Sequence, residues 1–189
     1  RDQGAMVRQI GYSPKEFAQI MIDKEGGVDN AKKLFDKSEV KPSDYHPEDM
    51  RINSAGEKYS KILNSVFEAN YDFNDYNRAS SIYWPGNKLG HGREDVAKFW
   101  NSLKSIFTEI KFTIEHVGYL DEPIKNPRAS IRWFLEGIHS NDSDDFGEKT
   151  NSKLFIMGIN HVELNKDGII REWVLFDEVA IWKQILMNK

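Results

Sequence analysis

Residues 167–185 read DGIIREWVLFDEVAIWKQI, and the parsing of this stretch decides the fold. Asp167-Gly168 is a strong turn signal, and the run after it is rich in β-branched and aromatic residues, as a strand leaving a hairpin should be. Side chains alternate along a strand. Trp173, Leu175 and Asp177 therefore share one face, and Glu172, Val174 and Phe176 the other. We expect the first set to face a core, which places an acid in line with a Trp and a Leu.

Upstream, KFTIEHVGYL (111–120), ASIRWFLEGIH (129–139) and KLFIMGINHVEL (153–164) read as three further strands. The segments between them, DEPIKNP and SNDSDDFGEKTNS, read as loops. Before the strands, Tyr59, Ile62, Leu63, Val66 and Phe67 recur at helical spacing and predict a helix near 55–70. Val96, Phe99, Trp100, Leu103 and Phe107 predict another, with Glu94 and Asp95 placed to favour its N-terminus. DFNDYNRASS (72–81) is expected as a short helix and IYWPGNKLGHG (82–92) as a loop. Helices followed by a four-strand antiparallel meander make the class α+β, with helices on one face of a curved sheet.

The first fifty residues differ. SPKEFAQIMIDKEGG (13–27) has Ser13 as N-cap, Pro14 at the first helical position and a Gly-Gly stop, and VDNAKKLFDK (28–37) suits a second short helix. Residues 38–53 carry two prolines and little periodicity, the character of a linker. RDQGAMVRQI (1–10) also repeats FDEVAIWKQI (176–185): Asp2, Ala5, Gln9 and Ile10 overlie Asp177, Ala180, Gln184 and Ile185, with Arg8 over Lys183.

Bulk properties narrow the function. Lys and Arg total 26 against 30 Asp and Glu, a formal charge of -4, so no basic field favours nucleic acid. With no cysteine there are no disulfides, thiolate metal sites or Cys nucleophile. No run is apolar and long enough to span a membrane, and the chain is expected to be cytoplasmic. The phosphate-loop, GxSxG and HExxH motifs are all missing. Asp142, Asp144 and Asp145 lack the spacing of a calcium loop and read as solvated, so no calcium site is expected there.

Parity also aligns Ile131, Trp133, Leu135 and His139 on one strand, with Gly137 leaving a gap, and Met157, Ile159, His161 and Glu163 on the next. Apolar rows ending in ionisable groups are what a pocket in a sheet requires. An acid desolvated beside Trp has its pKa raised, which suits proton transfer. The plainer alternatives stand beside this: Asp177 as a helix N-cap alone, and His161 as a solvated strand-end histidine.

From about Ser54 to Lys189 the chain resembles the SnoaL-like polyketide cyclases. The segments that carry the likeness are GHGREDVAKFWNSLKSIF (90–107), ASIRWFLEGIH, FIMGINHVEL and above all the opening stretch, where Gly168, Ile170, Trp173, Asp177 and Gln184 fall as they do in the ester cyclase-like group. The resemblance implies a nuclear-transport-factor-2-like cone enclosing a pocket. It implies a cofactor-independent cyclase, isomerase or hydratase acting on a small apolar, carbonyl-bearing ligand, or else a non-catalytic binding or dimerisation module. Asp177 would be the general acid/base and His161 its companion. Trp173, Trp133, Trp100, Tyr83 and Trp84 would line the cavity, with His139 at its rim and His116 nearby. It further implies residues 1–12 as the tail of a preceding similar domain, 13–53 as a helical linker and 54–189 as the cone. Homodimerisation would use the outer sheet face at Arg132, Phe134 and Glu136, unless tandem domains pack instead.

Overall fold

The computed structural model describes residues 3–37, 53–68, 70–120 and 122–189. In chain order the elements are α1 (Gln3–Gln9), α2 (Pro14–Lys24), α3 (Val28–Lys37), α4 (Ser54–Val66), β1 (Tyr76–Trp84), β2 (Lys88–His91), α5 (Gly92–Ser105), β3 (Phe107–Leu120), β4 (Arg128–His139), β5 (Lys153–Asn165), β6 (Gly168–Phe176) and α6 (Glu178–Met187). The class is α+β, as expected.

Local chemistry sets the helix ends. Ser13 and Glu16 form a capping box: Ser13 Oγ accepts from the Glu16 N–H at 3.2 Å and the Ser13 N–H donates to Glu16 Oε2 at 2.8 Å. Asn53 Oδ1 caps α4 by accepting from the Gly56 N–H at 2.8 Å. Tyr59, Ile62, Leu63 and Val66 of α4, and Val96, Trp100 and Leu103 of α5, are the buried stripes anticipated from their spacing.

The sheet has six strands in the order β2-β1-β6-β5-β4-β3. Strands β3 to β6 are the expected antiparallel meander, but β1 joins it in parallel with β6 and carries β2 as an antiparallel edge. This corrects the helix expected over 72–81 and the loop over 82–92. Asn77, Arg78, Ser80 and Ser81 hide the strand, because its buried positions are Tyr76, Ser80 and Ile82 and one of these is a serine. At the β5–β6 turn the positive φ falls on Gly168, at +117°, and not on Lys166 or Asp167. A Cβ at Gly168 would meet the Asp75 carbonyl, which accepts the Ile169 N–H at 2.9 Å.

The principal core lies between the sheet and helices α4 and α5, where Leu63, Trp100, Ile131, Trp133, Leu135 and Val162 are buried. On β6 the buried set is Glu172, Val174 and Phe176; on β5 it is Leu154, Ile156, Asn160, Val162 and Leu164. The parity assigned to β4 holds, but on β5 and β6 the faces are the reverse of those expected. Large apolar residues occupy both faces of these strands, so alternation alone does not mark the inner one. Helices α1 to α3 dock on α6, with Ile22, Ala31 and Met187 forming a second small core. The chain from 38 to 52, expected as linker, lies outside the described residues.

Candidate functional site

Within the core Glu172 is fully buried, and four side chains point at its carboxyl group. On one oxygen the Tyr59 hydroxyl donates at 2.5 Å and Asn160 Nδ2 at 2.9 Å. On the other the Tyr76 hydroxyl donates at 2.9 Å and the Trp100 indole N–H at 3.3 Å. Asn160 Oδ1 in turn accepts from Trp133 Nε1 at 2.8 Å. Elements α4, β1, α5 and β5 thus converge on a single residue of β6, and β4 supports them through Trp133. Burial pushes the Glu172 carboxyl above its usual range, and the four donors pull against that shift. Burial, reinforced by the nearby carboxylate, drives the Tyr59 and Tyr76 phenols well above their ordinary value.

The residues expected to form the site are scattered. Asp177 accepts from the Val179 and Ala180 N–H groups at 2.9 and 3.1 Å, the N-cap of α6. His161 is exposed and pairs across the ladder with Trp173, its ring 6.3 Å from the indole. Four residue steps, about 13 Å of extended chain, separate Asp177 from Trp173, the ladder partner of His161. Trp173 stacks on Tyr83 at 5.6 Å, and with Trp84 these rings border a depression of about 500 Å³ on the outer face. Trp133 and Trp100 are interior, but as donors to Asn160 and Glu172. His139 is buried with Nδ1 3.4 Å from Thr150 Oγ1, and burial lowers its pKa. His116 lies opposite Arg132 in the β3–β4 ladder. Of the expected dimer residues, Phe134 is covered, packing 5.8 Å from Phe155, and Arg132 pairs with Glu115 at 2.9 Å. Exposed apolar residues of that face include Met157, Ile159, Trp173 and Tyr83.

A second candidate lies between the β1–β2 hairpin and α5, a cleft of about 340 Å³. Trp84 and Phe99 stack along it with centroids 5.0 Å apart and planes 18° from parallel. Gly90 makes room: a Cβ there would come within 2.8 Å of Trp84 Cζ3 and 2.7 Å of Asp95 Cβ. Lys88 Nζ bonds Asp145 Oδ1 at 2.7 Å, tying β2 to the β4–β5 loop. Below the cleft a crevice of about 20 Å³, space for about one water, reaches Phe176 and Glu178. Glu178 is held there by both Arg8 guanidinium nitrogens, at 2.7 and 3.0 Å. Among the described residues no group of three or more His, Asp or Glu is arranged to hold a metal ion.

No family model matches the chain, and no curated protein matches it in sequence. Solved structures do match. A proposed polyketide cyclase from Acidithiobacillus ferrooxidans superposes with a TM-score of 0.58 at 16% identity, over 74% of this chain and 100% of that one. A proposed SnoaL-like polyketide cyclase from Shewanella putrefaciens CN-32 gives 0.57 at 16% identity, over 72% and 88%. This is the SnoaL-like, nuclear-transport-factor-2-like fold. AclR, a proposed hydroxylase from Streptomyces galilaeus, superposes with a TM-score of 0.54 at 9% identity, over 69% and 82%. The fold is therefore one found among proposed small-molecule enzymes, and at these identities the likeness fixes the fold alone.

Sequence reasoning missed Glu172, Tyr59, Tyr76 and Asn160. A signal existed on β5, where Asn160 is the one polar residue in the row Leu154, Ile156, Gly158, Asn160, Val162, Leu164. That row is more uniformly apolar than its alternate, which holds His161 and Glu163. Fixing the inner face of β5 by this test would also have fixed β6, since the ladder pairs Asn160 with Val174.

Proposed function

We propose that this chain is a binding module of the SnoaL-like fold, taking a small apolar ligand in the cleft between the hairpin and α5, in place of a catalyst working inside the cone. The observation that carries this is the closure around Glu172. The carboxyl is fully buried and each oxygen already receives two protein donors, leaving a substrate no free lone pair to engage. The cleft, by contrast, has the size and aromatic lining of a ligand site. Titration of the full chain with 2-naphthalenemethanol, followed by shifts of the tryptophan indole N–H signals, should move Trp84 saturably. Phe99→Ala, which removes the other ring of the stack and keeps the Trp84 signal, should weaken the effect. A titration that leaves Trp84 unmoved rejects the site.

A second reading keeps proton transfer, with Glu172 in the role expected of Asp177. What favours it is the raised carboxyl pKa beside two phenols, a grouping suited to taking an α-proton and holding an enolate. Exchange of α-protons of bicyclic ketones in D₂O separates the two readings. No exchange above buffer supports the binding module, whereas exchange that disappears in Glu172→Gln replaces it with the enzyme.

A further inference from the structure

Resting on the binding reading, we infer that the cleft between the hairpin and α5 selects a planar aromatic monocarboxylate. The lining supplies a flat aromatic surface and one uncommitted positive charge. Trp84 and Phe99 are half-buried and stacked with their planes nearly parallel, so a flat ring can continue their stack. The acidic groups around the cleft are already engaged. Asp145 is neutralised by Lys88 at 2.7 Å. Asp95 Oδ2 accepts the His91 N–H at 2.8 Å and lies in the first turn of α5, where the helix dipole favours a negative charge. Glu178, at the base, is paired with Arg8.

Lys98 remains. It lines the same cleft, is exposed, and has no ionic partner among the described residues. An ammonium beside a half-buried aromatic surface suits a ligand whose ring covers the indole while its carboxylate meets the cation. One available cation selects one anionic group. A phosphate dianion would bring its second charge toward the Asp95 carboxylate, and an organic cation would meet the Lys98 ammonium.

The test is a matched pair on the full chain: 2-naphthoate and its neutral counterpart 2-naphthalenemethanol, titrated by tryptophan fluorescence and by the Trp84 indole N–H signal. The acid should bind roughly tenfold tighter, the scale of one charge-assisted hydrogen bond. That preference should shrink as salt is raised and should vanish in Lys98→Met, where the two compounds should bind with equal affinity. Lys98 is exposed, so the variant should fold. Equal affinities in the unaltered chain, or a preference that survives Lys98→Met, overturns the aromatic-acid inference and leaves the binding module standing. Binding of neither compound overturns both.

Discussion

The protonation of Glu172 governs how the interior behaves. No cation is among the groups bonded to this carboxyl; its neighbours are phenols, an indole and an amide. Its folded-state pKa is raised above 4.5, so folding favours the protonated form. The stabilisation from that proton is complete below 4.5 and is lost as pH rises through the folded pKa. In Glu172→Gln nothing titrates at this position, although the new amide N–H₂ faces donors. The Tyr76 hydroxyl can turn to accept from it, but an indole N–H cannot, so the substitution should cost about 1–3 kcal/mol. Urea midpoints of both proteins, measured from about pH 4 to about pH 8, should show the advantage of the unaltered chain shrinking toward higher pH. A difference that stays level would mean Glu172 ionises as it does in the unfolded chain. Glu172 is hard to find in the sequence because an acid between Arg171 and Trp173 resembles a solvent-facing residue. Only the donors supplied by distant elements make its burial tolerable.

Among the elements, β4 and β5 are joined by a large residue set against a missing one. Trp133 pairs with Gly158 across the ladder, and a Cβ at Gly158 would stand 2.0 Å from Trp133 Cζ2. The indole cannot swing aside without breaking its bond to Asn160 Oδ1. Gly158→Ala should therefore destabilise the protein by about 1–3 kcal/mol and disturb the tryptophan near-ultraviolet dichroism. A neutral result would show that Trp133 has room to move. A similar economy explains Gln184, where β6 ends opposite Gly158 and leaves the edge of β5 open. The Gln184 amide closes it by accepting the Phe155 N–H and donating to the Phe155 carbonyl, both at 2.9 Å. The meander and the amphipathic helices α4 and α5 were legible because each depends on residues close in sequence. Strand β1 was not, because its partner β6 lies some ninety residues away and its polar spacing matched a helix as well as a strand.

At the scale of the molecule, residues 3–37 add to both cores: Val7 and Ala18 are fully buried within the principal core, and Ile22 and Ala31 close a second one on Met187. Arg8 grips Glu178 through both nitrogens, and Lys183 of α6 bonds Glu25 at 2.5 Å. Removing residues 1–12 exposes the site that Val7 fills, worth about 1.5–3 kcal/mol. It also strands Glu178, buried, without its guanidinium, a loss of about 3–5 kcal/mol for a fully buried pair and less here because Arg8 is partly exposed. A chain beginning at Ser13 should therefore unfold at a distinctly lower urea concentration. Adding Glu178→Gln to the truncated chain should recover part of that loss by removing the stranded charge. If truncation leaves the midpoint unchanged, the first helix contributes nothing to this fold. If Glu178→Gln brings no recovery, the loss belongs to Val7 and the ion pair carries none of it.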